Sequence, residues 1–471
     1  MPRPFALVGL LVALPVLAVG AETAAEGPPP TLRLDYFHTG SATTETFALD
    51  AVTLEGPWPG NPDRPLDDTN LGKYFFEVVD LATNRVVYSR GFASIYGEWE
   101  TTSEAREAHR TFHESLRFPK PRSPVQVVLK KRGQDGVFHE AWSVVVDPAD
   151  PTVDRTGPPS PRTVWLVLES GPPSRKVDLV LLGDGYTAAE MDKWHGDARR
   201  MAGILFSQSP FRERRGDFNV WAIDTPSDAS GVARPSDGVF RRSALRVVYD
   251  AFGSERYVLA FDNRRVREAA AAAPYDATIL VVNGRKYGGG GIFGLYATTA
   301  SDNAFTPYVL VHEFGHHFAA LADEYYTSDV AYESTAHRPE PWEPNVTAHP
   351  ASPKWSALLT PGVPLPTPWE KEAYEAAQKE IQARRREVRA QGQPEEVMET
   401  LFRDEETAVG PLLRSGPWSE AVGAFEGAMY EAKGYYRPQA NCMMFTRFGE
   451  FCPVCRHALE RVIDLYSRPA P

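Results

Sequence analysis

Two patterns of hydrophobic and polar residues divide the chain. Between residues 31 and 150, short segments rich in β-branched and aromatic residues are separated by turns that contain glycine, proline and asparagine. The segments are Thr31–Phe37, Tyr74–Asp80, Arg85–Phe92, Val125–Lys131 and Phe138–Asp147. Short strands with turns between them are typical of antiparallel sheets, so the pattern predicts an N-terminal β-sandwich domain.

A second pattern, in which apolar strands alternate with helices, covers residues 174–471. A capping box at Thr187–Glu190 begins a helix. Three strands are expected, at Val177–Leu182, Phe218–Asp224 and Ala277–Asn283. This alternation predicts an α/β domain.

Residues 336–415 interrupt the second pattern. Within them, Trp369–Ala390 has a strongly helical composition and proline-rich flanks. We interpret 336–415 as a helical insertion that forms a lid or a partner surface. The predicted fold class is α+β multidomain, with an N-terminal β-sandwich followed by an α/β domain that carries this insertion.

The strongest chemical signal is a histidine pair inside a predicted helix. His312 and His316 are four residues apart, so their imidazoles lie on one helix face and can bind one zinc ion. Phe314 and Phe318 give the helix a second, apolar face. Glu313 completes an H-E-x-x-H pattern, in which the glutamate is not a ligand but a general base and then a general acid.

A catalytic zinc normally has three protein ligands and one open position. Asp323 is the candidate for the third ligand. On a continuous helix it would lie about 10 Å along the axis from His316, so the chain must turn near Ala319 and Ala320. Glu324 remains an alternative third ligand.

Residues 312–326 resemble the signature of the IgA-specific metallopeptidase family, whose members are metzincin-like zinc peptidases. The run is His-Glu-Phe-Gly-His-His-Phe-Ala-Ala-Leu-Ala-Asp-Glu-Tyr-Tyr. The resemblance implies a metzincin-like zinc metallopeptidase domain over 174–471, with one catalytic Zn²⁺. The family has a glycine where this chain has Ala320, and Asp323 keeps the three-residue offset after it. The resemblance also implies that the strand near Gly288–Gly294 pairs with extended substrate.

A second segment, Tyr435–Thr446, resembles the methionine turn of the same family, a hydrophobic floor beneath the metal. Met443 and Met444 are the candidates for this floor. Tyr435 or Tyr436, just before it, is a candidate for stabilising the oxyanion of the tetrahedral intermediate. Packing in an aromatic core is the alternative interpretation of both tyrosines.

Three cysteines, Cys442, Cys452 and Cys455, lie within fourteen residues. A disulfide from Cys442 to one of the other two would leave one thiol. With His457 the cysteines could instead form a structural metal site. Free thiols are the third possibility, and the spacing is compatible with all three.

Residues 1–21 contain one basic residue, an apolar stretch and a small-residue end, which predicts a signal peptide. Its removal would give a secreted, periplasmic or cell-envelope protein. The net charge of −12 argues against a nucleic-acid partner. No later apolar run is long enough to predict a membrane span.

These features predict an exported zinc endopeptidase that hydrolyses peptide bonds of protein or peptide substrates through zinc-bound water, with Glu313 as base and acid. The alternative is a non-catalytic cell-surface or secreted binding protein that retains a structural zinc. An intact Glu313 and an open fourth position favour the enzyme, because a structural site would need a fourth ligand. The physiological substrate and the oligomeric state stay open.

Overall fold

In the computed structural model, which describes residues 27–157, 162–328 and 339–469, the N-terminal part of the chain consists of two antiparallel sheets. The predicted signal peptide, 1–21, lies outside the described residues. The strands are β1 (Pro30–Gly40), β2 (Glu45–Pro57), β3 (Tyr74–Asp80), β4 (Arg85–Phe92), β5 (Arg110–Pro119), β6 (Val125–Arg132) and β7 (Phe138–Val146). Two short helices, α1 (Ile95–Trp99) and α2 (Glu104–Glu107), separate β4 from β5.

The two N-terminal sheets have the strand orders β2-β1-β5 and β4-β3-β6-β7 and share one apolar core. Alternate residues of β1, among them Leu32 and Leu34, point into this core. The opposite face of the first sheet contacts the rest of the protein. There Arg117 on β5 donates a hydrogen bond to the carbonyl of Tyr275 at 2.9 Å. The N-terminal part is therefore docked on the second part of the chain.

The second part of the chain is built around a six-stranded sheet of order β14-β15-β13-β9-β10-β8. The four central strands are parallel, and the two outer strands are antiparallel to their neighbours. Its strands are β8 (Val164–Leu168), β9 (Val177–Asp184), β10 (Phe218–Ile223), β13 (Ala277–Val282), β14 (Gly289–Ile292) and β15 (Tyr296–Ala300). Small two-stranded ribbons are formed by β11 (Val247–Val248) with β12 (Leu259–Ala260) and by β16 (Phe425–Ala428) with β17 (Glu431–Arg437).

Helices cover both faces of this sheet. They are α3 (Met191–Leu205), α4 (Asn263–Ala270), α5 (Thr306–Ala319), α6 (Lys371–Ala390), α7 (Glu395–Arg414) and α8 (Pro453–Ser467). Leu179 and Leu181 of β9 pack with α3, α5 and α8, whereas Val180 and Leu182 pack with α4 and α1. This explains why residues 179–182 of β9 are an unbroken apolar run, because a parallel strand buried on both faces needs no polar side.

The described part of the predicted insertion, residues 339–415, contains the two twenty-residue helices α6 and α7. Val388 on α6 and Phe402 on α7 belong to one apolar cluster with Val309 in the first turn of α5. The insertion is therefore packed on the helix that carries the histidine pair.

The mixed α+β class, with a sheet-rich N-terminal region before an α/β region, is confirmed. The metzincin-like arrangement of the second region stays a proposal. Within the part of the chain that the structure describes, no helix is both long and apolar enough to cross a bilayer.

Two buried carboxylates meet at the start of β9. Oδ1 of Asp178 accepts hydrogen bonds from Asn219 Nδ2 at 3.0 Å and Trp221 Nε1 at 2.9 Å, while its buried Oδ2 has no partner among the described residues. Asp276 accepts a hydrogen bond from the Asp178 amide at 2.9 Å. Burial raises the pKa of Asp178 to about 6. Burial, followed by the charge of Asp178, raises the pKa of Asp276.

We expect Asp178→Asn to raise the thermal unfolding midpoint at about pH 8. A raised folded-state pKa means that the folded protein holds a proton that the unfolded chain has released, so the wild type loses stability as pH rises from about 4 through about 6. The amide keeps the acceptor oxygen and cannot ionise. The gain, on the order of 1–3 kcal/mol, should disappear below about pH 4. Thermal unfolding across this range measures it, with the exposed Asp192→Asn as the control.

Candidate metal centre

The two histidines of the H-E-x-x-H pattern lie side by side on α5. Their Nε2 atoms are 3.1 Å apart. The opposite face of the helix is buried, because Phe314 and Phe318 pack with Phe211 in the core beneath the sheet. This burial fixes the direction in which His312 and His316 point.

The chain turns at the end of α5, where the sequence predicts it. The helix ends at Ala319, and Ala320 adopts the left-handed conformation with φ 56° and ψ 30°. The turn brings Asp323 Oδ1 to 3.0 Å from His312 Nε2 and 3.3 Å from His316 Nε2. The three candidate ligands therefore converge on one point.

We expect Ala320→Gly to cost less stability than Ala319→Gly. Both alanines are buried, so each change removes a buried methyl group and adds the same freedom to the unfolded chain. Only Ala320 carries left-handed strain, which costs an L-residue about 1–2 kcal/mol and glycine nothing. Chemical denaturation of the two variants should therefore differ by about this amount. Equal losses would contradict the strained turn.

The spacing of the three atoms is compatible with a tetrahedral ion. Bonds of about 2.1 Å at tetrahedral angles separate ligand atoms by about 3.4 Å, and the observed separations are 3.0, 3.1 and 3.3 Å. Asp323 Oδ1 is also buried, and it accepts no hydrogen bond from any donor among the described residues. A buried carboxylate oxygen left without a donor is expected where a cation binds.

Contacts on the far side of each imidazole orient it. His312 Nδ1 lies 3.1 Å from the carbonyl of Met443 and 3.2 Å from the hydroxyl of Tyr308. His316 Nδ1 lies 2.5 Å from the carbonyl of Leu321. Because Nδ1–H is donated to a carbonyl in each case, Nε2 keeps its lone pair for a metal.

Glu313 belongs to the same group of side chains. Its carboxylate and the ring nitrogens of His312 and His316 all lie within 4.8 Å of one another. Burial raises the pKa of Glu313, although the two histidines oppose the rise. A carboxyl group with a raised pKa can both accept and return a proton, as general acid–base catalysis requires.

Tyr430 is a member of the site that the sequence interpretation does not include. Its hydroxyl donates a hydrogen bond to Asp323 Oδ2, the oxygen that faces away from the histidines. Tyr430 and Met429 form the two-residue turn between β16 and β17, and both have positive φ, 65° and 49°. Such turns favour asparagine and glycine, so larger residues here indicate a constraint from tertiary contacts. Met429 N does donate to the Asp323 carbonyl, at 3.0 Å.

We expect Tyr430→Phe to weaken zinc binding or activity by about 10–100-fold, which is the usual effect of losing an outer partner of a metal ligand. The matched control is Tyr249→Phe, outside the pocket, whose hydroxyl donates to the carbonyl of Lys286 at 2.8 Å. Zinc titration and peptide hydrolysis measure the two effects separately. Equal zinc affinity in both variants would contradict the role assigned to Tyr430.

The two tyrosines predicted to stabilise the oxyanion lie in different surroundings. Tyr435 lines the pocket in front of His312 and Glu313. Tyr436 pairs through its main chain with Thr347 and is not among the pocket residues. This geometry favours Tyr435 over Tyr436 for the predicted role.

Met443 and Met444 are both buried beneath α5. Met444 packs against Gly315, where a Cβ atom would lie 3.3 Å from the methionine sulfur. The carbonyl of Met443 receives the hydrogen bond from His312. The predicted methionine floor therefore lies directly under the histidine pair.

Glu324, the alternative third ligand, points away from the histidines. Its Oε1 accepts a hydrogen bond from Asn345 Nδ2 at 2.9 Å and lies 3.4 Å from Cys455 Sγ. Asp323 and Glu324 are adjacent, but the Asp323 carboxylate contacts the histidine pair and the Glu324 carboxylate contacts Asn345 and Cys455. This geometry favours Asp323 as the third ligand.

The structure does not bring His457 to the three cysteines, so the alternative of a metal site that includes His457 does not fit. Cys442, Cys452 and Cys455 are buried together with no disulfide between them, whereas His457 is exposed on α8. Residues two apart on a helix do not share a face, so His457 cannot join Cys455. The sulfurs of Cys442 and Cys455 are 3.7 Å apart, well beyond the roughly 2 Å of a disulfide.

The pocket in front of the histidines has a volume of about 420 Å³ and receives residues from three parts of the chain. The N-terminal part contributes Lys73, Gly97 and Thr101. The described part of the insertion contributes Trp342 and Glu343. The N-terminal sheets and the insertion thus form walls of the candidate active site.

The glycine-rich segment after β13 is strand β14 at the edge of the sheet, not a flexible loop. A Cβ atom on Gly291 would lie 2.2 Å from the carbonyl oxygen of Glu313, so glycine is needed for α5 to approach the strand. At both ends of β14, the edge of the strand that faces away from β15 already forms backbone hydrogen bonds. Gly289 bonds to Arg256 and Val258, and the carbonyl of Phe293 accepts from Ala93. The part of this edge that these bonds leave open for an added strand is therefore the neighbourhood of Gly291.

Most of the sequence matches models of one family. The sequence model described as IgA peptidase M64 matches residues 166–463, and that described as the peptidase M64 N-terminus matches residues 28–143. A comparison with curated proteins finds no match. The first family match covers more than half of the chain, and it confirms the family that the motif at 312–326 predicts. The chain therefore belongs to the IgA peptidase M64 family and is a peptidase whose substrates are proteins or peptides.

Proposed function

We propose that the protein is a zinc-dependent endopeptidase in which His312, His316 and Asp323 hold one catalytic Zn²⁺ and Glu313 is the general base and acid. The observation that carries this proposal is the convergence of two imidazole nitrogens and one carboxylate oxygen within 3.3 Å of one another. Two nitrogens and one oxygen are a common ligand set of catalytic zinc.

Zinc, when bound there, would supply Lewis acidity for the attacking water and the substrate carbonyl. Glu313 would take the proton of the attacking water and return it to the leaving amine. Its half-buried position in the pocket beside the two histidines supports both transfers, because the raised pKa of its carboxyl group lets it accept a proton and return it. Tyr430 would hold Asp323 in place, and Tyr435 would face the oxyanion.

The pocket would bind an extended peptide across α5. Its volume of about 420 Å³ suits a few residues rather than a whole folded domain. The main chain of the substrate would pass beside Gly291, where no side chain blocks its approach. Lys73 and Thr101 from the N-terminal part would contact the substrate on the opposite side.

The test is cleavage of a diverse library of peptides blocked at both termini, which only an endopeptidase can cut. We expect cleavage by the zinc-loaded protein, loss of cleavage after chelation and recovery after zinc is added back. Cleavage that survives complete removal of metal would contradict the zinc mechanism. Absence of cleavage by zinc-loaded protein would favour the alternative, a binding protein with a structural zinc.

We further propose that the protein is exported, which rests on the apolar N-terminal stretch of residues 1–21. N-terminal sequencing of protein recovered from outside the cytoplasm tests this proposal. The expected first residue follows Ala21. A mature chain that still begins at Met1 would contradict export by a cleaved signal peptide.

A further inference from the structure

A second group of potential metal ligands lies directly behind the catalytic loop. Glu324, Cys442, Cys452 and Cys455 each offer one ligand atom, and these four atoms all lie within 4.8 Å of one another. All four side chains are buried, with at most 2% of their surface exposed. Outside the catalytic centre, this is the group of described side chains with the strongest metal-binding character, because thiolates and carboxylates bind divalent ions in closed sites.

Backbone amides donate hydrogen bonds to two of these three sulfurs, those of Cys442 and Cys452. In the sequence Cys452-Pro-Val-Cys455, Cys452 caps the N-terminus of α8, and its sulfur accepts a hydrogen bond from Cys455 N at 3.4 Å. The sulfur of Cys442 accepts one from Cys452 N at 3.3 Å. Backbone donors and a helix N-terminus both stabilise negative sulfur, which is the form that binds metal. Two residues between cysteines is also the spacing of structural zinc sites.

The carboxylate of Glu324 supplies an independent observation. Its Oε1 has partners, but its Oε2 is buried without a hydrogen-bond partner among the described residues. The nearby guanidinium of Arg437 does not supply that partner, because its Nη1 and Nη2 donate to the carbonyls of Glu426, Gly427 and Ala440. Burying a carboxylate in this way is costly unless a cation binds it.

A disulfide accounts for the group less well than a metal. It would use two of the three sulfurs and leave one thiol and the Glu324 carboxylate buried together. A divalent ion at the centre would satisfy all four groups at once. Three sulfurs and one oxygen in a closed tetrahedron suit zinc, and they leave no open position for a substrate.

We propose that Glu324, Cys442, Cys452 and Cys455 bind a second, structural zinc ion. This ion would join three segments: the loop after α5, the segment with Met443 and Met444, and the start of α8. Glu324 is next to Asp323, and its amide donates to the carbonyl of Met444 at 2.8 Å. The structural ion would therefore fix the position of Asp323 and of the methionine floor under the histidines.

The first test is metal analysis of the double variant His312→Ala, His316→Ala, in which the catalytic centre cannot bind zinc but all four proposed ligands remain. We expect two zinc ions per chain in the wild type and one in the double variant. The control His457→Asn should keep both ions. This result does not depend on peptidase activity, so it separates the structural site from the proposed function.

Two outcomes would overturn the proposal. In the first, the double variant binds no zinc even after zinc is added, and the denatured protein has three titratable thiols. This result would show that the cysteines are free. The other is a denatured, non-reduced protein with a single titratable thiol, which would show a disulfide.

The second test replaces zinc with Co²⁺ in the same double variant, which keeps every cysteine and so avoids the risk that a cysteine variant fails to fold. Sulfur ligation gives a strong near-ultraviolet charge-transfer absorption, and tetrahedral geometry gives intense visible bands. We expect both. Adding Glu324→Gln should keep the sulfur absorption and weaken cobalt binding by at least about 10-fold. A spectrum without sulfur absorption would exclude the three cysteines as ligands.

Discussion

Replacing Glu313 with glutamine is expected to lower peptide hydrolysis by at least about 10²–10⁴-fold while the zinc content stays at the wild-type level. Glutamine keeps the shape of the side chain, but it cannot take a proton from water or return one to the leaving amine. The effect should fall on the rate of catalysis rather than on substrate binding, because the change affects the transition state.

The matched control is Glu372→Gln, an exposed change of the same kind on α6. It should leave both rate and zinc content unaltered. Near-normal hydrolysis by zinc-loaded Glu313→Gln would overturn the proposed mechanism. A simultaneous loss of zinc would instead show that Glu313 is needed to hold the metal.

Replacing Asp323 with alanine is expected to abolish binding of the catalytic zinc at micromolar free zinc, and activity with it. Asp323 Oδ1 lies within 3.3 Å of both His312 Nε2 and His316 Nε2. Loss of a direct ligand should exceed the ~10–100-fold cost of losing an outer partner such as Tyr430. Zinc titration of the apo protein measures the affinity.

Glu324→Ala is the informative comparison, because the two carboxylates are adjacent but face opposite sides. Asp323→Ala should lose activity and keep the sulfur-to-cobalt absorption of the second site. Glu324→Ala should weaken that second site. If Glu324→Ala loses the catalytic ion while Asp323→Ala retains it, the assignment of the third ligand is reversed.

The histidine helix could be predicted from the sequence because its information is local. His312 and His316 are one turn apart, and their spacing alone places them on one face of α5. The need for a turn before Asp323 also follows from the length of a helix. The structure places that turn at Ala320, a residue whose left-handed conformation its own side chain disfavours. The turn is held by its surroundings, which the sequence does not display.

Strand β14 could not be predicted from residue preferences. Glycine has a low β-propensity, so Gly288–Gly294 resembles a loop in the sequence. The strand exists because Gly289 and Gly291 let α5 pack against the sheet at a distance that a Cβ atom would block. The contact between α5 and β14 is a tertiary contact, so the reason for the glycines is visible in the structure and not in the sequence.

Tyr430 and Glu324 illustrate the same limit within the site. Tyr430 is more than one hundred residues from Asp323 in the sequence, and it reaches it because the β16–β17 turn folds onto the loop after α5. Glu324 likewise lies beside Cys442 and Cys455 because the fold brings together segments that are far apart in the sequence. No local pattern connects these positions, whereas the exposure of His457 could have been inferred from its two-residue separation from Cys455.

The wall that the N-terminal sheets contribute to the pocket makes the two family-defining regions one functional unit. A fragment that begins near residue 166 would retain every proposed ligand of the catalytic centre, yet it would lack Lys73, Gly97 and Thr101. It would also expose the apolar surface that α1 covers in the intact chain. We therefore expect both regions to contribute to selectivity, and chimaeras that exchange residues 28–143 among family members would test this by a change in substrate preference.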